Sequence, residues 1–380
     1  MHFSLFATLG CLAFSHAGFD NGISEIWSFD LGLFQNTDWM SILDDDVRLS
    51  SLAIPGTHNS MTDKIENIMV QTQNHPLERQ LYGGIRYIDI SCRLEDVLTT
   101  LFDFLDNHPR EAIILRIQKG GVLDNHASFL NSIERHFAPG SELGDRAVQH
   151  IYSTNIGDNY IPALGEVRGK VLILQDFKTI PASRYGIRWD SRSISYYSHK
   201  LSINRHFRYL KWAGIKSHLS RSRSEDNDKL RITYTTAGAG LKPIYIAAKN
   251  GITDAINRLL GHYLVFKKGS CFGVVVMDFP GYEVVELIVQ LNDRYRAFGR
   301  PDFPSGHSSI NMANDFDHDE AEPIDDMGLP FEASDDEAEI IDDMGPLYES
   351  DDEIDIIDDM PPPPEANDDE ASGNEDSLAR

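Results

Sequence analysis

Between Val47 and Arg296 short β-branched apolar runs alternate with stretches of helical period. That alternation constrains the fold strongly: parallel strands need long crossovers, and a parallel sheet must have both faces covered, so the chain reads as a sheet wrapped by helices. Strands are expected at Leu52 to Ile54, Ile85 to Ile90, Ala112 to Ile117, Lys170 to Leu174, Leu230 to Tyr234, Ile244 to Ala247 and Phe272 to Met277. Apolar residues at Leu94, Val97, Leu98, Leu101, Phe104 and Leu105 form a helical stripe that ends just before Pro109. Glu283 to Arg296 repeats the pattern after the last strand. Seven strands are one short of an α/β barrel, and the eighth is expected near Ser193 to Tyr197.

Charge separates this portion from the C-terminal tail. Residues 311–380 hold 27 Asp and Glu against one Arg, whereas residues 1–310 hold 33 acidic and 33 basic residues, so the net charge of −26 belongs to the tail. The apolar portion is close to neutral, which argues against nucleic-acid binding and fits a single domain. With few aromatics, many carboxylates and the run Pro361 to Pro364, the tail cannot bury enough apolar area to offset ordering entropy and is expected to be disordered. Within it a unit recurs three times, at Ile324 to Gly328, Ile341 to Gly345 and Ile357 to Met360. It reads either as a docking motif or as solvated low-complexity sequence.

The first 17 residues, MHFSLFATLGCLAFSHA, form an apolar run of leader length with small residues where a signal peptidase cuts, so a secreted protein is expected. The domain reading is therefore a signal peptide over 1–17, an extension over 18–46, a barrel over 47–300 and an acidic tail over 301–380. Cys92 and Cys271 would remain after cleavage. They fall at opposite ends of their strands, so free buried thiols are expected rather than a disulfide.

The chemistry-bearing residues stand where apolar strands end. IPGTHNS (Ile54 to Ser60) puts His58 after the first strand, GIRYIDISCR (Gly84 to Arg93) puts Asp89 at the end of the second, and GVVVMDFPG (Gly273 to Gly281) puts Asp278 after the last. Catalytic groups on a parallel barrel sit at these C-terminal strand ends. First and last strands of a barrel are neighbours, so His58 and Asp278 are expected to pair.

In order and spacing these blocks resemble the X domain of phosphatidylinositol-specific phospholipase C, in its secreted bacterial and fungal branch. The likeness continues through LEDVLTTLFDFLDNHPREAIILRI (Leu94 to Ile117), RGKVLILQDF (Arg168 to Phe177) and YGIRW (Tyr185 to Trp189), and covers roughly Leu49 to Arg296. It implies an irregular TIM-type (β/α)8 barrel. It further implies a phosphoric diester hydrolase in which His58 is the general base, Asp278 orients it, and phosphatidylinositol or a related phospholipid is bound at a peripheral membrane surface by a monomer.

Departures from the pattern are specific. A segment with the family's second histidine, the acid for the leaving alkoxide, is absent, because Arg93 runs straight into Leu94 and Glu95. Where one branch has a phosphate-binding arginine and the calcium-dependent branch a second carboxylate, this chain has Ser91; a family lysine on strand three is replaced by Gln118. Arg93 reads as a substitute substrate-binding cation or as a surface ion pair. Asn59 resembles the asparagine that the calcium-dependent branch uses as a metal ligand and is a candidate substrate-binding residue; without a carboxylate at position 91 a calcium site is not favoured, and no cofactor is expected. His75 and His108 do not fall at the missing position. Three readings stay open: an impaired phospholipase C, a catalytically inactive barrel binding a lipid headgroup or a protein, and a sequence lacking an exon between Arg93 and Leu94. The aromatic-rich basic stretch from Arg184 to Lys216 suits an anionic membrane or an ordinary mixed surface.

Overall fold

The computed structural model describes residues 27–32, 36–91, 94–119, 126–153, 160–181, 184–198, 205–221, 228–237, 242–248, 255–267 and 272–297, all within the unit spanning Met1–Ser308. Its elements are β1 (Ala53–Thr57), α1 (Leu77–Tyr82), β2 (Tyr87–Ile90), α2 (Leu94–Asn107), β3 (Ala112–Gln118), α3 (His126–Phe137), α4 (Glu142–His150), β4 (Lys170–Asp176), β5 (Ile187–Arg188), β6 (Ile194–Tyr197), α5 (Arg205–Arg221), β7 (Leu230–Tyr234), α6 (Pro243–Ala247), α7 (Ile256–Val265), β8 (Gly273–Met277) and α8 (Tyr282–Gln290). The acidic tail and its repeats, the N-terminal apolar run, Cys92, Arg93 and Cys271 lie outside the described residues.

Eight parallel strands form one curved sheet in the order β5-β4-β3-β2-β1-β8-β7-β6. The first and last strands in sequence are neighbours at its centre, with Thr57 opposite Met277. The sheet bends into an irregular TIM-type barrel, and among the described residues no ladder joins β5 to β6. All positions of β1, β2 and β8 are buried, as expected of strands covered on both faces. Helix α2 buries Val97, Leu98, Leu101, Phe102, Phe104 and Leu105. At Gly56 a side chain would place Cβ 2.8 Å from Tyr87 Cβ, so glycine permits the close approach of β1 to β2.

Two strand expectations change. Ile244 to Ala247 is part of helix α6, not a strand: Pro243 occupies a first-turn helical position with its φ already set, and a five-residue apolar run has no period that distinguishes strand from helix. The missing strand near Ser193 is β6, and the two-residue β5 is too short to leave a pattern. After the last strand, helix α8 ends at Gln290 and the side chain of Asn292 instead clamps both backbone groups of Ala53 at the start of β1.

The same, N-terminal end of the barrel is also tied by Arg86 and Glu111, which precede β2 and β3 and are both fully buried, with Nη2 2.8 Å from Oε2. Arg86 also donates to the carbonyls of Leu81, Ile85 and Thr37, so the guanidinium is satisfied by backbone. The preceding segment packs along the side of the barrel: Trp39 Nε1 donates to the Gly84 carbonyl at 2.9 Å, and Phe29 N to the Phe279 carbonyl at 3.1 Å.

Candidate active site

The backbone register brings the first pair together. His58 and Asp278 each follow the last residue of their strands, β1 and β8, and His58 N donates to the Met277 carbonyl, extending that ladder by one step. His58 Nδ1 lies 3.0 Å from Asp278 Oδ1; the Asp278 side chain is fully buried and that of His58 is 24% exposed. The second Asp278 oxygen accepts from Ala237 N at 2.9 Å, which fixes the carboxylate independently of the histidine. With Nδ1 committed to the carboxylate, the other ring nitrogen is the one free to exchange a proton with a ligand.

Burial by itself disfavours the charged imidazole. The hydrogen bond and charge of Asp278, helped by the charge of Asp89, outweigh burial and the opposing field of Arg116, so the His58 pKa is raised above 6.5. The ring is also held edge-on against Tyr234, with centroids 5.9 Å apart.

A loop between β1 and α1 is rooted on the same residues. The His58 carbonyl accepts from Thr72 Oγ1 at 2.8 Å and Gln73 Nε2 at 2.9 Å, and Gln73 also reaches the Met277 carbonyl. Asn59 turns out of the strand with φ 42°, and its carbonyl accepts from Thr72. Between the roots, Asn67 closes a tight turn that leaves Ile68, Met69 and Val70 as three consecutive exposed apolar residues.

Asp89 closes the floor of the site. It is fully buried; Oδ1 accepts from Gln118 Nε2 at 3.1 Å, and Oδ2 from Tyr234 Oη at 3.0 Å and Arg116 Nη1 at 3.3 Å. Gln118 is therefore bound to Asp89 rather than standing in for a free cation. Both Asp89 oxygens are taken by protein donors, and position 91 is a serine. Among the described residues no group of three or more His, Cys, Asp or Glu is arranged to hold a metal.

Of the residues singled out in the sequence, His58, Asp278, Asp89 and Asn59 lie together, while Arg93 lies outside the described residues. His75 accepts through its carbonyl from Gln80, and His108 pairs with Asp38 at 2.7 Å near the Arg86–Glu111 end. Sequence reasoning missed Arg116, Asp176, Trp189 and Tyr234. The signal for Arg116 was a charged residue in the apolar run AIILRI, two positions before Gln118 and thus on the same side of the strand.

No family model matches the chain. It is similar to the 1-phosphatidylinositol phosphodiesterase of Listeria monocytogenes, 27% identical over 284 residues that span 67% of this chain and 84% of that protein. The enzyme of the same name from Staphylococcus aureus is 23% identical over 302 residues, covering 67% and 94%. Among solved structures, the phosphatidylinositol-specific phospholipase C from Listeria monocytogenes aligns with a TM-score of 0.57 at 25% identity, over 68% of this chain and 98% of that one. A double mutant of the Staphylococcus aureus phospholipase shares the fold with a TM-score of 0.53 at 18% identity, over 68% and 97%. Over two thirds of its length the chain is thus similar in sequence, and alike in fold, to bacterial phosphatidylinositol-specific phospholipase C.

Proposed function

We propose that the protein is a phosphodiesterase acting on phosphatidylinositol. The observation that carries this reading is the His58–Asp278 pair, 3.0 Å apart at the ends of two adjacent central strands. His58 takes the proton of the inositol 2-hydroxyl, that oxygen attacks phosphorus, and the diacylglycerol oxygen leaves, giving a cyclic inositol phosphate and diacylglycerol. Asp278 keeps the imidazole in the tautomer that can accept the proton and stabilises the imidazolium that forms.

Protonation of the leaving alkoxide is the weak step. With Arg93 joined directly to Leu94, the chain has no second-histidine segment to supply a positioned acid. Proton donation from water in its place costs about 10²- to 10⁴-fold in rate. The Ile68–Val70 ridge, 37 to 46% exposed and rooted on the His58 carbonyl, suits contact with an acyl-chain surface beside the site.

A second reading, a barrel that binds the headgroup without cleaving it, is favoured by the same absence between Arg93 and Leu94. Turnover of radiolabelled phosphatidylinositol in vesicles separates the two. Cyclic product from the wild type and none above background from His58→Ala supports the enzyme, whereas vesicle binding with no product from either supports the binder. Product formation that survives His58→Ala refutes the assigned base.

A further inference from the structure

The reaction just proposed needs positive charge beside the phosphoryl oxygens, and neither Ser91 nor Gln118 supplies it. We propose that Arg116 is the phosphate-binding cation of this site, and that Asp176 is an internal anion occupying its outward side until a phosphate displaces it.

Exposure of the side chains orders three groups from inside to outside: Asp89 at 0%, Arg116 at 14% and Asp176 at 31%. The guanidinium is held on its inner side, where Nη1 donates to Asp89 and, at 2.8 Å, to Tyr234 Oη. Trp189 covers one face, with the guanidinium carbon 3.9 Å from a ring centroid. These contacts fix the plane of the fork before any ligand arrives, which is what an anion site requires. Tyr234 links the fork to the catalytic pair, since its hydroxyl touches Arg116 and its ring packs on His58.

On the outer side, Arg116 Nη2 donates to Asp176 Oδ2 at 2.5 Å. Asp176 is the last residue of β4, opposite Gln118 in the register, and so stands at the C-terminal rim where the substrate enters. With Asp89 already neutralising the guanidinium, a second carboxylate leaves the trio with net charge −1, which repels a phosphodiester. A carboxylate and a phosphodiester oxygen offer the same acceptor chemistry to a guanidinium. The Asp176 side chain is 31% exposed, so once displaced from the guanidinium it can be solvated by water.

The inference rests on the phosphodiesterase reading, and its test reads binding apart from turnover. Inorganic phosphate and inositol 1-phosphate are titrated into the full chain while the His58 imidazole signals are followed by NMR. Asp176→Asn, with Asp176→Ser as a second variant, is expected to tighten phosphate binding by about tenfold. Arg116→Gln abolishes the response; Arg116→Lys, which keeps the charge without the fork, weakens it. Tighter binding of inositol 1-phosphate than of phosphate assigns the subsite to the lipid headgroup, equal binding assigns it to free phosphate, and dependence on Arg116 upholds it in either case. Phosphate affinity that is unchanged or weaker in both Asp176 variants, or unchanged in Arg116→Lys with the fold retained, overturns the proposal. A wild type that binds phosphate through Arg116 but releases no cyclic product would refute the phosphodiesterase reading and leave the subsite standing.

Discussion

Asn59 and Phe279 both adopt positive φ, 42° and 47°, and each directly follows one member of the His58–Asp278 pair. Non-glycine residues enter this left-handed region at a cost, so a matched pair at the ends of neighbouring strands marks a position that surrounding contacts enforce. Those contacts are visible: Phe279 N donates to the Thr72 carbonyl, Ser60 N to the Asp89 carbonyl, and Asn257 Nδ2 to the carbonyls of Asp278 and Phe279. Both strands are thereby turned away from the sheet immediately after His58 and Asp278. The ring and the carboxylate are left facing each other.

Asp278 sets the pH dependence of His58. Because its pKa is raised above 6.5 and the base must be neutral, kcat/KM in the wild type should rise with pH through a limb above 6.5. In Asp278→Asn burial and the field of Arg116 remain while the charge of Asp278 is gone and only the smaller contribution of Asp89 is left, so the limb moves to lower pH and turnover falls by about two to four orders of magnitude. Stability runs the opposite way. A folded pKa above the unfolded value stabilises fully below the unfolded pKa, and that contribution is lost as pH rises through the folded one. The stability gap between wild type and variant should therefore narrow as pH is raised past the limb. Paired pH–rate and pH–denaturation curves check both statements, and a limb that does not move would identify a different titrating group.

Arg86 and Glu111 anchor the barrel at the end away from the site. Removing either partner leaves a buried charge uncompensated, so Arg86→Met should cost about 3–5 kcal/mol. The double variant Arg86→Met/Glu111→Leu should cost clearly less than the sum of the single changes, because both charges leave together. Urea titrations of the four proteins measure this; an additive double variant would show that the pair is not coupled.

Met69 stands at the centre of the exposed ridge. Met69→Glu puts a charge where an acyl surface is proposed, so vesicle binding should weaken by about tenfold or more. The loss of activity on vesicles should exceed the loss on a water-soluble inositol phosphodiester by a similar factor. Equal losses on both substrates would place the effect in the His58 loop rather than at the membrane.

Much of this protein was legible in its sequence because the information was local. Strand-and-helix alternation specified a helix-covered parallel sheet, and the motifs ending β1, β2 and β8 marked His58, Asp89 and Asp278, since a residue's place at a strand end is a property of its own segment. Assignments failed where a segment was too short to carry a period, as in β5 and in α6, where Pro243 opens a helix inside an apolar run.

What tertiary structure alone decided is the interior of the site. Arg116 meets Tyr234 across 118 residues of chain, Tyr234 meets Asp89 across 145, and Arg116 meets Asp176 across 60. No pattern within any one strand encodes such a convergence, because it depends on strand order, register and the curvature that turns a row of strand ends into a ring. The sequence by itself determined which strand ends carry a histidine and two carboxylates. Only the folded sheet determined that an arginine from the third strand closes over one of those carboxylates, because side chains from distant segments share a site only after the sheet has bent.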